Sequence, residues 1–125
     1  MADLPEDVER FIAEHVDNIE QLEILLLLRS QPSREFEPRE VTAELRLGPD
    51  SAPLRLAGMA AHGFLASRPD PPRYQYAPDH GDKERAISQL AHCYAERRVS
   101  VITQIFSPRS DPVRSFADAF KLRRR

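Results

Sequence analysis

Glu40-Val41-Thr42-Ala43-Glu44-Leu45-Arg46-Leu47-Gly48-Pro49-Asp50-Ser51-Ala52-Pro53-Leu54-Arg55-Leu56-Ala57-Gly58-Met59-Ala60-Ala61-His62-Gly63-Phe64-Leu65 sets the architecture of this chain through its punctuation. Pro38 stands where a first helical turn accepts a residue without an N–H, and Val41, Thr42 and Leu45 give a short helix its buried side as far as Arg46. Leu47-Gly48-Pro49-Asp50 reads as a turn. Ser51 is a good N-cap for the next helix, over 51–62, in which Ala52, Leu56, Met59 and Ala60 fall on one side. Gly63 stops that helix, because glycine enters the left-handed conformation without a Cβ clash.

Working outward toward the C-terminus, Phe64-Leu65-Ala66-Ser67-Arg68 and Arg73-Tyr74-Gln75-Tyr76-Ala77 predict two strands of a β-hairpin over 64–77. Their connection, Pro69-Asp70-Pro71-Pro72, contains three prolines, which keep it a loop and discourage further strand pairing. From Asp82 to Phe106 there is no Pro or Gly, and Ile87, Leu90, Ala91, Tyr94, Val101, Ile102 and Ile105 recur at intervals of three and four. That spacing predicts a long helix whose apolar stripe lapses near Arg97 and Arg98, where a bend or a polar contact is expected. After Ser107-Pro108-Arg109-Ser110-Asp111-Pro112 a last helix, roughly 112–122, places Val113, Phe116, Ala117 and Phe120 on one face.

Toward the N-terminus, Val8, Phe11, Ile12 and Val16 predict a short amphipathic helix over 5–16, with Pro5 in its first turn. A second helix, 17–30, starts from Asp17 or Asn18 as N-cap and carries Ile19, Leu22, Ile24 and Leu25 to Leu28, apolar around most of its circumference and therefore central to the core. The expected fold class is mainly α with a small β-hairpin wing. It is a single domain over 1–125, with a helix-turn-helix and wing core at 17–77 and flanking helices on both sides.

Two short helices joined by a tight turn, the second running through a glycine into a hairpin, resemble the winged helix-turn-helix regulators of bacteria of the MarR and PadR kind. The resemblance covers Asp17 to Ala77. It implies a DNA-binding transcriptional regulator whose recognition helix, 51–62, enters the major groove of double-stranded DNA while the hairpin, 64–77, touches the backbone or minor groove. Ser51, Pro53, Leu54 and Arg55 then occupy the early recognition helix, and Arg68 and Arg73 flank the wing tip. Arg55 is the candidate for pairing with guanine O6 and N7, and Arg68 and Arg73 for holding phosphates.

The residues depart from that pattern in one respect. Pro53 and Leu54 stand where polar groups often face DNA, Gly58 offers nothing to read, and Arg55 is the single basic side chain of the helix. Binding through counterion release grows with the number of phosphates neutralised, so a monomer of this kind binds weakly. A homodimer built on the C-terminal helices, 82–122, is expected on two grounds: it doubles the contacts, and it gives the apolar stripes of those helices a surface to pack on. The alternative is a winged-helix module that binds a protein component of the transcription or signalling apparatus through Pro53 and Leu54 without reading DNA.

Charge is unevenly divided: residues 1–50 hold 13 acids and 5 bases, and residues 51–125 hold 7 acids and 13 bases. Such a division suits a nucleic-acid-facing side, or an acidic part of one subunit meeting a basic part of another. The acidic residues of the first helices, Glu20 and Glu23 among them, read as a solvated face.

The sequence lacks the groupings that chemistry requires. His15, His62, His80 and His92 are scattered, and the adjacent His92 and Cys93 diverge by about 100° on a helix, so no metal site, cofactor or enzymatic activity is expected. The four glycines are too far apart for a phosphate loop. Cys93 is the only cysteine and reads as a small buried thiol in a reducing compartment. The longest aliphatic run, Ile24 to Leu28, is far short of the ~20 residues that cross a bilayer. Met1-Ala2-Asp3-Leu4-Pro5-Glu6 lacks the basic start and apolar run of a secretory signal, so a cytoplasmic protein is expected.

Overall fold

The computed structural model describes residues 4–107. Over that range the chain forms α1 (Glu6–His15), α2 (Ile19–Ser30), α3 (Pro38–Leu45), α4 (Ser51–Ala61), β1 (Leu65–Arg68), β2 (Arg73–Tyr76), α5 (Gly81–Glu96) and α6 (Arg98–Phe106). This is the expected architecture, mainly helical, with a small antiparallel hairpin after the fourth helix and further helices behind it.

The helix ends are set by local chemistry. Asn18 caps α2 by accepting from the Gln21 amide at 2.8 Å, and the Gln21 side chain reaches back to the Asp17 N–H at 2.7 Å and the His15 carbonyl at 2.8 Å. These bonds fix the sharp corner between α1 and α2. The next helix, α3, begins with Pro38 at its first position and a capping box in which Glu37 and Glu40 each bond the other's backbone N–H.

At the start of α4 the structure corrects the sequence reading. Asp50 occupies the N-cap position, without a side-chain bond, and Ser51 is the first helical residue, its hydroxyl directed elsewhere. At the far end Gly63 has φ +84°, with Phe64 N–H bonded to Met59 O at 3.0 Å and Gly63 N–H to Ala60 O at 3.2 Å. That pair of bonds is the Schellman motif, and it points the chain directly into β1.

The hairpin pairs Leu65 with Tyr76, Ala66 with Gln75, Ser67 with Tyr74 and Arg68 with Arg73. On its other side β2 is bridged by Phe36, whose N–H and C=O exchange bonds with Tyr74 at 2.8 and 2.9 Å. Phe36 is fully buried, so the segment before α3 is anchored to the wing by both backbone and side chain.

The long helix expected over 82–106 is two helices. The chain leaves helical geometry at Arg97, with φ −138° and ψ 57°. The reason lies in the stripe: where the spacing calls for an apolar residue between Tyr94 and Val101 the sequence supplies Arg97 and Arg98, which cannot enter the core uncharged. Arg98 instead lies over the Tyr94 ring, 4.5 Å from its centroid, and pairs with Glu23 of α2 at 3.3 Å. The Tyr94 hydroxyl donates to the same carboxylate at 3.1 Å.

The apolar residues of both helices, Ile87, Leu90, Tyr94, Val101 and Ile105, are buried within the chain, where α5 and α6 pack on α1. All buried side chains form one core cluster, and among the described residues no polar or charged residue is buried. No described helix is long and apolar enough to cross a membrane. The terminal helix expected over 112–122 lies outside the described residues.

Candidate functional site

The six residues that the sequence nominates fall on two neighbouring elements, Ser51, Pro53, Leu54 and Arg55 in the first turns of α4, and Arg68 and Arg73 at the tip end of the hairpin. Each of the four polar ones is engaged by a carboxylate of its own module.

Ser51 Oγ donates to Glu20 Oε1 at 2.5 Å, and Arg55 Nε lies 3.5 Å from the same oxygen with its side chain only 27% exposed. Glu20 sits in the first turn of α2, one residue beyond the helix start, where a negative charge is favoured. The Ser51 hydrogen bond, more than the Arg55 charge, holds its carboxyl below the usual range, against the opposing effect of desolvation.

A second carboxylate serves the wing. Arg68 and Arg73 are partners in the hairpin register, and like charges placed opposite each other destabilise a strand pair. Glu35 resolves the conflict, with Arg68 Nη1 at 3.0 Å from Oε2 and Arg73 Nη1 at 3.7 Å from Oε1. It is held there because the neighbouring Phe36 is bridged to Tyr74 on β2.

What remains open on α4 is apolar. Pro53, Leu54, Ala57 and Ala61 are exposed, and Leu54 keeps 69% of its surface in contact with solvent. A Cβ added at Gly58 would meet nothing within 4 Å, so the helix backbone is open to close approach there. Toward the helix end His62 Nδ1 is 2.8 Å from the Gly58 carbonyl, a local contact. Counted from the sequence, the module over 17–77 holds nine carboxylates and seven arginines, a net charge of −2.

The wing is also tied to the C-terminal helices. Tyr76 Oη donates to Glu84 Oε1 of α5 at 2.5 Å, and Arg29 of α2 lies 3.6 Å from Oε2. Burial first, and then the bond to an anion, raise the Tyr76 hydroxyl far above the ordinary phenol range. Burial likewise pushes up the Cys93 thiol, leaving it protonated and unreactive at neutral pH. No group of three or more His, Cys, Asp or Glu among the described residues is arranged to hold a metal ion.

Glu20 and Glu35 are the site residues that sequence reasoning missed. By sequence Glu20 reads as part of a solvated acidic face, and Glu35 carries no periodic or capping signal. The one available hint was Phe36, an aromatic residue isolated between Ser33 and Pro38 in a segment otherwise read as a connection.

The fold is mainly helical, with a small antiparallel hairpin after α4 and further helices behind it, an order compatible with a winged helix-turn-helix. Comparison with protein-family models, with curated proteins and with solved structures finds no match.

Proposed function

We propose that this chain is a winged-helix interaction module that engages a protein partner through the exposed side of α4, in preference to reading DNA. One observation carries the reading: the arginines of the α4 and hairpin surface are each paired to Glu20 or Glu35, while Leu54, next to Arg55 on α4, stands 69% exposed. A DNA backbone brought to this surface meets two carboxylates as well as three guanidinium groups, and counterion release rewards only cations that are free to neutralise phosphate. An exposed apolar side chain beside arginines that are ion-paired within the chain is instead the pattern of a protein interface. The partner it fits presents an apolar side chain to Leu54 and a small-residue face to Ala57 and Gly58.

The test is Leu54→Asp, a substitution on an exposed position that leaves the circular dichroism spectrum unchanged. Loss of a partner that the unmodified chain retains supports the reading, and retention of that partner through the variant refutes it.

A second reading, a double-stranded DNA-binding regulator, is favoured by the order of the basic residues along the fold, with Arg55 on the helix and Arg68, itself 64% exposed, on the wing. In that case Glu20 and Glu35 hold the guanidinium groups in place before DNA arrives. Arg55→Ala then costs about 1–3 kcal/mol of specific binding, and Arg73→Ala weakens all sequences alike and flattens the salt slope. Absence of binding to random or genomic DNA at ~50 mM salt removes this reading.

A further inference from the structure

We propose that the partner of the α4 surface also places an arginine side chain into the cleft between the end of α4 and the corner joining α1 to α2. The inference rests on the protein-partner reading above and adds the chemistry by which that partner is recognised. The cleft is a cavity of 220 Å³. Glu14, Asp17 and His62 are exposed and stand at its mouth, while Met59 and Phe64 are buried and close its floor. His15 and Gln21, both half-buried, line the wall between.

The size of the cleft selects a side chain over a whole ligand. Small-molecule sites run to about 300–1,000 Å³, and this one is smaller. It is also blind: behind His15, Gln21, Met59 and Phe64 the space narrows to a seam of 10 Å³ against Leu22 and Leu25, no more than a single water fills. One long side chain suits such a volume, with its stem on the Met59 and Phe64 surface and its charged head at the mouth.

Charge selects a cation. Glu14 faces His15 Nε2 at 3.8 Å, but burial holds the His15 pKa below 6.5, so at neutral pH the ring is uncharged and does not neutralise the carboxylate. The Lys83 ammonium, 4.8 Å from the centroid of the Phe64 ring, is taken up by Asp79 at 2.9 Å and by the His62 carbonyl at 2.7 Å. Two carboxylates on one rim above an apolar floor suit a guanidinium better than an ammonium. The planar group donates from several positions at once, and its weaker hydration makes it less costly to bring against Met59 and Phe64.

The cleft is continuous with the exposed side of α4. At about 100° per residue, Gly58, His62 and Met59 follow one another round the helix from the side that carries Leu54 and Ala61 to the cleft. Gly58 has open space where a side chain would stand, so the way across is unobstructed. From Leu54 to His62 the helix rises roughly 12 Å at 1.5 Å per residue, and the partner therefore carries an apolar side chain and an arginine about that far apart. An arginine anchored in a pocket is a frequent source of binding energy at protein interfaces.

The probe is N-acetylarginine methylamide, titrated into the full chain at neutral pH while the Gln21 side-chain amide and the Met59 methyl group are followed by NMR. Saturable shifts of both groups are expected, with the lysine analogue weaker and the uncharged citrulline analogue without effect. Glu14→Gln combined with Asp17→Asn, both exposed positions, should weaken the arginine probe about tenfold with unchanged circular dichroism, the loss expected for one charge-assisted hydrogen bond. Leu54→Asp should bind the probe as the unmodified chain does, because the probe carries nothing for Leu54. A failure of the cleft is thus read from the probe, and a failure of the α4 reading from the partner test on Leu54→Asp. Absence of saturation, equal binding of the citrulline or lysine analogue, or undiminished binding by the double variant each overturns the proposal.

Discussion

Ser51 Oγ lies 2.5 Å from Glu20 Oε1 and so joins the first turn of α4 to the first turn of α2. A serine at this position would be expected to cap its own helix. Here it has moved one residue inward, to the first helical position, and its hydroxyl stabilises an anion on a neighbouring helix. The contact links the starts of the two helices, and Arg55 lies alongside the same carboxylate.

The Glu20 carboxyl is expected to titrate below 4.5, the value for an unperturbed glutamate. A depressed carboxylate contributes stability above its unfolded-state value and loses it as the pH falls through the folded one, so the α2–α4 clamp loosens only below about pH 4.5. Carboxyl-detected NMR titration of the chain and of Ser51→Ala checks this. The variant should titrate nearer 4.5, because the serine hydrogen bond is the largest cause of the depression; an unchanged midpoint would show that it is not.

Replacing both Glu20 and Glu35 with glutamine releases Arg55, Arg68 and Arg73 from their carboxylates. The double variant is expected to bind random-sequence duplex DNA more tightly than the unmodified chain. Three freed cations give its log-affinity a dependence on log salt of up to about −3, at ~0.9 per phosphate contact. Fluorescence anisotropy at several salt concentrations measures the slope. Equal, salt-insensitive behaviour of the two proteins would mean that the carboxylates do not control access to this surface.

Gly63→Ala is expected to destabilise the fold by about 1–3 kcal/mol in urea denaturation. Two costs combine: a left-handed φ of +84°, and a Cβ that would run into the Asp79 carboxylate and the Lys83 ammonium. Those two groups are paired at 2.9 Å, and Lys83 also donates to the His62 carbonyl at 2.7 Å, so they cannot withdraw without losing the tie between α4 and α5.

His15 packs against the rings of Phe11 and Phe64, at centroid distances of 4.9 and 5.3 Å. Burial lowers its pKa below 6.5, with Lys83 and His62 acting in the same direction and Glu14 against them. The unfolded chain then binds the proton more readily than the folded one, so stability is retained above pH 6.5 and declines as the pH falls below it. Urea midpoints measured on either side of this value should differ, and His15→Gln should reduce the difference.

The local elements were largely legible from the sequence. Asn18, Pro38 and Gly63 act on the backbone within a few residues, and the apolar intervals of α1, α2 and α4 report which side of each helix is buried. The order of four helices and then a hairpin followed from those signals. One lapse in periodicity, at Arg97 and Arg98, also marked the place where α5 ends and α6 begins.

The condition of the candidate surface was not legible, because it depends on which charge meets which across the folded chain. Ser51 and Glu20 are 31 residues apart, and Arg68 and Glu35 are 33 apart. No spacing rule links residues at such distances; they meet because Phe36 bridges β2 and because α2 and α4 pack against each other. The same holds for the C-terminal helices, whose stripes called for a surface to pack on. The sequence alone determined that α5 and α6 have apolar faces. Tertiary packing decided that α1 covers the faces of both that carry Ile87, Leu90, Val101 and Ile105 and leaves Val99 and Phe106 outside, since burial is a property of the whole arrangement and not of any one helix.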